Sequence, residues 1–241
     1  MWGIVPAAGQ ASRLQPLAFS KELLPVGRAF SGERERPRAV AEYLLDRMRM
    51  AGAGKICMVI APDKADIVAY FGDEVGGAKL CYVVQPDARG LCDAIFRALP
   101  FIPEDETVLV GLPDTIWFPE DGLGRLVPCE GLSFLCFPVS EPEHFDAVVS
   151  NDAGVVEVVQ VKDKGARSHW IWGAFAARAK VLRGLYELWC ERGASEHYFG
   201  TLVNAWIERG GQAKAVHAGT SYIDVGTVRG FQEAVRVLGQ R

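Results

Sequence analysis

Long apolar runs are missing from this 241-residue sequence. The longest, such as Lys55 to Ala61 and Ser133 to Val139, are strand-sized and far short of the roughly 20 residues that cross a bilayer as a helix. No membrane span is therefore expected. The opening Met1-Trp-Gly-Ile-Val-Pro-Ala-Ala-Gly9 also lacks the basic region and long apolar core of a signal peptide, so the expected location is cytoplasmic. An excess of positive charge is missing as well. With 26 Lys and Arg against 30 Asp and Glu, a net charge of −4, the chain has no broad basic face for nucleic acid, and any phosphate binding has to be local. The six cysteines (Cys57, Cys81, Cys92, Cys129, Cys136 and Cys190) lie apart, with no C-x-x-C pair and no histidine at ligand spacing. That argues against a zinc site or disulfide framework and reads as reduced core thiols. Internal repeats, low-complexity tracts and Pro/Gly/Ser-rich linkers are absent too.

What is present is core-forming material: 49% of residues are hydrophobic, and the mean hydropathy of +0.09 is ordinary for an α/β enzyme. Trp2 to Pro6 reads as a strand that runs into the small-residue loop Ala7-Ala-Gly-Gln-Ala-Ser-Arg13. Arg38 to Ala51 has helical spacing, with Ala41, Leu44, Leu45 and Met48 on one face. Lys55 to Ala61 is a strand buried on both faces, Asp63 to Tyr70 a short helix, Leu80 to Val84 a strand, Gly90 to Leu99 a helix, and Thr107 to Val110 a buried strand before Gly111-Leu-Pro-Asp114. This alternation predicts an α/β fold with a Rossmann-like, mixed, mostly parallel sheet flanked by helices. Ligands of such sheets sit at the carboxyl ends of strands, where the loops after Val5 and Val110 lie. The second half reads as strands at Leu132 to Val139, Ala147 to Ser150, Val155 to Val161 and Ser168 to Ala176, then helices at Lys180 to Arg192 and Glu196 to Arg209. One domain of two lobes is expected, over about residues 1–130 and about residues 131–241. The mixed-charge run Arg28 to Arg38 reads as a loop near the site.

The small residues Ala7, Ala8, Gly9 and Ala11 let main-chain N–H groups approach a ligand, a nest suited to phosphate oxygens, and Arg13 and Lys21 add two cations beside it. This is a polyphosphate cradle that is neither a Walker A loop nor a G-x-G-x-x-G fingerprint. A plain strand–turn connection with surface charges satisfies the same spacing.

The longer stretch from Gly9 to Val26 resembles the sugar-1-phosphate nucleotidyltransferases, especially glucose-1-phosphate thymidylyl- and uridylyltransferases. Their signature reads roughly L-A-G-G-x-G-T-R-L-x-P-L-T-x-x-x-S-K-x-L-L-P-V. Gly9, Ser12, Arg13, Leu14, Pro16, Leu17, Ser20, Lys21, Leu23, Leu24, Pro25 and Val26 fit it, with Ala8 and Ala11 standing for two glycines and Ser12 for Thr. Gln85-Pro86 with Gly90-Leu91, Val108 to Asp114, Trp172-Gly173, Glu196 and Tyr222-Ile-Asp224-Val-Gly-Thr227 follow in the family's order. The resemblance implies the nucleotide-diphospho-sugar transferase type of fold and transfer of a nucleotidyl group, with UTP or dTTP as donor, to a sugar-1-phosphate, with release of pyrophosphate. It implies nucleotide binding by Ala7, Ala8, Gly9, Gln10, Ala11, Ser12, Gln85 and Gly90, catalytic roles for Arg13 and Lys21, and Mg²⁺ held by Asp114 and Asp224. Lys162, with Lys164 as rival, Gly173 and Glu196 would bind the acceptor. Chemically, Gln85 offers one donor and one acceptor to a uracil or thymine edge. Two carboxylates with phosphates suit Mg²⁺. Read without the resemblance, Gln85 caps a strand and Asp114 caps a turn.

Departures gather in the acceptor half. A family Glu-Lys-Pro segment is Val161-Lys162-Asp163-Lys164 here, without the Glu, and a Tyr-Gly-Val-Val segment is Phe145-Asp146-Ala147-Val148-Val149. A phosphate-binding Arg has Arg192 as its nearest counterpart. These changes keep open a cytidylyltransferase acting on a phosphonate or other non-sugar phosphate. From another class, a catalytically silent nucleotide-sugar sensor also stays open. The four histidines (His144, His169, His197 and His217) read as surface or structural residues, Trp172 as core strand or pocket wall, and Cys92-Asp93 as packing plus a solvated face. The oligomeric state is left open.

Overall fold

The computed structural model describes residues 1–239. In chain order, β1 (Trp2–Ala7) leads through a long loop to a hairpin, β2 (Pro25–Ser31) and β3 (Arg34–Ala39), and then to α1 (Val40–Met50). There follow β4 (Lys55–Ile60), α2 (Ala65–Phe71), β5 (Glu74–Val75), β6 (Ala78–Val84), α3 (Gly90–Ala98), β7 (Thr107–Gly111) and β8 (Thr115–Phe118). The second half contains β9 (Leu132–Pro138), β10 (Asp146–Ser150), β11 (Val156–Val161), β12 (Trp170–Arg178), α4 (Ala179–Glu191), α5 (Phe199–Glu208), β13 (Ala213–Val216), β14 (Ser221–Asp224) and α6 (Val228–Leu238).

Among the described residues, ten strands form one sheet in the order β11-β10-β12-β7-β1-β4-β6-β5, with β9 on β12 and β13 on β9. Its centre is parallel: β1 lies between β7 and β4, and β6 follows β4. β12 joins antiparallel to β7 and carries the second half of the chain into the same sheet. The expected mixed sheet flanked by helices is therefore found. β1, β4 and β7 are apolar along almost their whole length because both faces are covered. On one face Ile95, Phe96, Leu182, Leu185, Phe199 and Leu202 bring α3, α4 and α5 onto the sheet. On the other, Leu44, Leu45, Met48, Ile67 and Phe71 bring α1 and α2. Among the described residues, no helix is long and apolar enough to cross a membrane.

Two sequence expectations change, and one motif is placed on a strand. Arg28 to Arg38 is not a loop but most of the hairpin, and its charges are paired: Arg28 with Glu35, Arg36 with Glu42, Arg38 with Asp46. Tyr222 to Asp224 belongs to a strand that pairs antiparallel with β8, in register Asp224 opposite Thr115. The helix expected from Glu196 begins at Phe199, three residues after a glutamate already engaged by Arg192.

The loop after β1 is held from beneath by a buried ion pair. Lys64 Nζ donates to both carboxylate oxygens of Glu22 at 2.9 Å and to the Ala7 carbonyl at 2.7 Å. Ser20 donates through its amide and hydroxyl to Asp66 at 2.7 and 2.6 Å. Burial raises the Glu22 pKa in spite of the opposing Lys64 charge, so the carboxylate depends on that partner. Removing one member of such a pair leaves an uncompensated buried charge. Lys64→Met is expected to cost about 3 to 5 kcal/mol in urea unfolding at pH 7, and adding Glu22→Leu to recover most of that loss.

Candidate active site

β1 and β7 are neighbours and parallel, so their carboxyl ends open at the same edge of the sheet. The loop after β1 forms one side of a cleft of about 710 Å³ lined by Ala8, Gly9, Gln10, Ala11, Lys21 and Gln85, among others. Ala7 is buried at the end of β1, while Ser12 stands exposed on the loop. Ala11 has φ +55°, a left-handed conformation that costs a residue with a Cβ about 1 kcal/mol and suits the glycine it replaces in the motif. A second recess of about 260 Å³ opens between Gly9, Gln85, Gly90, Leu91 and His197. Gly90 has φ +88°, and a Cβ there would meet the His197 backbone at 2.7 Å, so the turn and the close approach both require glycine.

The loop after β7 delivers Asp114, and the β8–β14 ribbon brings Asp224 beside it from the far end of the sequence. A Cβ built on Gly226 would lie 2.7 Å from Asp114 Oδ2, 2.9 Å from Asp224 Oδ1 and 3.1 Å from Arg13 Nη2. Both carboxylates and the guanidinium thus close around Gly226 too tightly to admit a methyl group. Behind it, α6 starts so close that a Cβ on Gly230 would fall 1.8 Å from the Asp224 carbonyl oxygen. Lys21 Nζ donates to Asp114 Oδ2 at 2.6 Å, and Arg13 donates to Asp224 Oδ2 at 3.0 Å. Burial opposes ionisation of Asp114, but the Lys21 ammonium outweighs it and the pKa falls. Burial also opposes the Lys21 charge, yet Asp114 outweighs it and that pKa rises. Asp224 is raised, first by burial and then by the Asp114 charge, with Arg13 only partly opposing. Two adjacent carboxylates of this kind, bordering the second pocket with Arg13 while Lys21 lines the main cleft, fit a divalent ion that completes its shell with phosphates and water. Among the described residues no group of three or more His, Cys, Asp or Glu is arranged as a metal cage.

On the other side of the aspartates lies a pocket of about 500 Å³ lined by Arg13, Asp114, Asp146, Lys162, Trp172 and Asp224, among others. Lys162 borders it, with Nζ 4.9 Å from the centre of the Tyr198 ring. Lys164 is exposed and is not part of this wall. Trp172 does both things expected of it, packing on Phe134, Phe175 and Phe199 while lining the pocket. Gly173 sits underneath, where a Cβ would meet Tyr222 at 2.5 Å and Phe137 at 2.8 Å. Glu196 accepts from Arg192 outside the pocket lining, and its other oxygen is buried without a partner among the described residues.

Sequence reasoning passed over three groups. His197, read as a surface or structural residue, borders both the small recess and the second pocket. Asp93, read as part of a solvated face, is buried at 5% exposure and accepts from Gln85 Nε2 at 2.7 Å. Asp146 lines the second pocket, and the only signal for it was the replacement of a small residue in the motif. Burial pushes the Asp146 carboxyl up to about 6, with the Lys162 charge opposing. Its folded pKa lies above the unfolded value, so this group's penalty is absent below about pH 4, grows as pH rises and is complete above about pH 6. Asp146→Asn is therefore expected to raise stability by about 2 kcal/mol at pH 8 and to leave it unchanged at pH 4, measured by urea unfolding at both pH values.

A family model described as nucleotidyl transferase matches residues 2–241. A glucose-1-phosphate thymidylyltransferase from Neisseria meningitidis serogroup A / serotype 4A is 27% identical over 97% of this chain and 81% of its own length. UTP–glucose-1-phosphate uridylyltransferase AglF from Haloferax volcanii is 24% identical over 99% of this chain and 96% of its own. Among solved structures, a candidate glucose-1-phosphate thymidylyltransferase from Bacillus anthracis, in complex with a sucrose, superposes with a TM-score of 0.82 at 23% identity, covering 99% of this chain and 95% of that one. That last likeness shows a shared fold.

Proposed function

This chain belongs to the nucleotidyl transferase family, and we propose that it joins a nucleoside triphosphate to a sugar-1-phosphate, releasing pyrophosphate and leaving a nucleoside-diphosphate sugar. The observation that carries this reading is the pair of cation–carboxylate contacts, Lys21 with Asp114 and Arg13 with Asp224, set between two pockets. Relatives named as thymidylyl- and uridylyltransferases support the reaction class and favour dTTP or UTP as donor.

An oxygen of the acceptor phosphate attacks the α-phosphorus in line with the bridging oxygen to the β-phosphate. The new P–O bond forms, the α–β bridge breaks, and its electron pair leaves on pyrophosphate. The attacking phosphate is already ionised, so no general base is needed, and catalysis reduces to alignment and charge neutralisation. The loop amides from Ala8 to Ala11 would cradle phosphate oxygens, with Arg13 and Lys21 meeting the charge that builds on the leaving pyrophosphate. Lys162 would meet the acceptor phosphate. Asp114 and Asp224 would hold a divalent ion, expected to be Mg²⁺, which when bound supplies Lewis-acid stabilisation of the phosphate charge. Gln85 would read the base from the recess beside Gly90.

The altered acceptor wall supports a sugar other than plain glucose. Asp146 occupies a place where the motif carries a small residue, and a half-buried carboxylate asks for a hydrogen-bond donor on the acceptor. Pyrophosphate release is the direct test, run with each of UTP, dTTP, CTP, ATP and GTP against a set of sugar-1-phosphates. Turnover is expected with UTP or dTTP, and turnover with CTP and a phosphonate alone would replace this reading by the cytidylyl one. Asp114→Asn and Lys21→Ala are each expected to lower kcat by about 10²- to 10³-fold. Unchanged turnover in both would refute the roles given to these residues.

A further inference from the structure

Gln85 follows β6 and lines both the main cleft and the small recess, yet is only 4% exposed. Its backbone is pinned by the bond from its amide to the Ile60 carbonyl at 2.8 Å. Its side-chain nitrogen is fully committed. Nε2 donates to Asp93 Oδ2 at 2.7 Å and to the Gly90 carbonyl at 3.2 Å. A carboxylate and a carbonyl can only accept, so the amide cannot turn over without losing both bonds. Asp93 is itself held in place, because Arg97, one turn along α3, donates through Nε to the same Oδ2 at 2.6 Å. What Gln85 has left is Oε1, and no donor among the described residues engages it.

We propose that Asp93, fixed by Arg97, is a positioning residue that makes Gln85 an acceptor-only base reader and so selects a pyrimidine carrying a ring N–H over one carrying a ring lone pair. Uracil and thymine present N3–H to such an oxygen. Cytosine presents a lone pair at N3, and two acceptors facing each other in a half-dry recess leave both unpaired. The proposal rests on the reading of this cleft as the site of a pyrimidine nucleoside triphosphate. It adds the residue that sets the choice of base.

The experiment measures KM and kcat for UTP and for CTP, together with nucleotide-induced shifts in melting temperature, in the parent protein, Asp93→Ala and Asp93→Asn. The parent is expected to prefer UTP. Freeing the amide in Asp93→Ala is expected to reduce the UTP-to-CTP preference by about tenfold or more, through KM, with kcat for UTP little changed because the base is remote from the reacting phosphorus. Asp93→Asn keeps an oxygen able to accept from both Arg97 and Gln85, and is expected to restore most of the preference. Asp93→Ser, with a small polar group in the same slot, takes the place of Asp93→Ala if that variant does not fold. Equal weakening of UTP and CTP, or an unchanged ratio, would mean that Asp93 only packs α3 and would overturn the proposal. A parent that takes CTP as readily as UTP overturns it as well. A parent to which no nucleoside triphosphate binds defeats the functional reading itself, and that failure is seen without any variant.

Discussion

Two carboxylates that share one small buried space repel each other, and the geometry around Asp114 and Asp224 answers that repulsion. Lys21 sits on one and Arg13 on the other, and both cations come from the single loop that follows β1. That loop therefore has to reach the carboxyl edge of β7 with its charges correctly placed. The buried Lys64–Glu22 pair and the Ser20–Asp66 bonds fix it against the start of α2, beside the carboxyl ends of β1 and β4. The β8–β14 ribbon fixes the aspartates in turn. Without its register, Asp224 would be an ordinary residue near the end of the chain rather than a neighbour of Asp114.

How much of this could be read from the sequence depended on where each element draws its stability. β1, β4 and β7 are continuous apolar runs buried on both faces, and runs of that kind are visible in composition alone. β8 and β14 are four-residue strands whose partners lie more than a hundred residues apart, so no local periodicity marks them as a pair. The hairpin of β2 and β3 escaped notice because its arginines resemble a solvated loop, whereas their pairing with Glu35, Glu42 and Asp46 ties the hairpin together and to α1.

The site shows the same division. Arg13, Lys21, Gln85, Asp114 and Asp224 were legible because they fall in a spaced motif. Asp93 was not, since an aspartate with an arginine four residues on looks like any exposed helical pair. What distinguishes it is that α3 turns this face toward the loop after β6, a tertiary fact. Asp146 stood out only as a departure from a motif, and its chemistry comes from the Lys162 and Trp172 surroundings that the sheet assembles. The main cleft is lined largely by one contiguous loop, with two shorter pieces at residues 61–66 and 85–88, whereas the second pocket draws on short pieces scattered from Arg13 to Asp224. Local patterns consequently describe the first better than the second.

Gly226 and Gly230 make a further point about sequence freedom. Neither contributes a functional group, yet a single carbon added at Gly226 would stand between the two aspartates and Arg13, and one at Gly230 would collide with the backbone of Asp224. The substitution tolerance of the Tyr222 to Gly230 stretch is therefore set by excluded volume as strictly as that of the aspartates is set by charge. The room in which the chemistry is proposed to occur is encoded by atoms the chain omits.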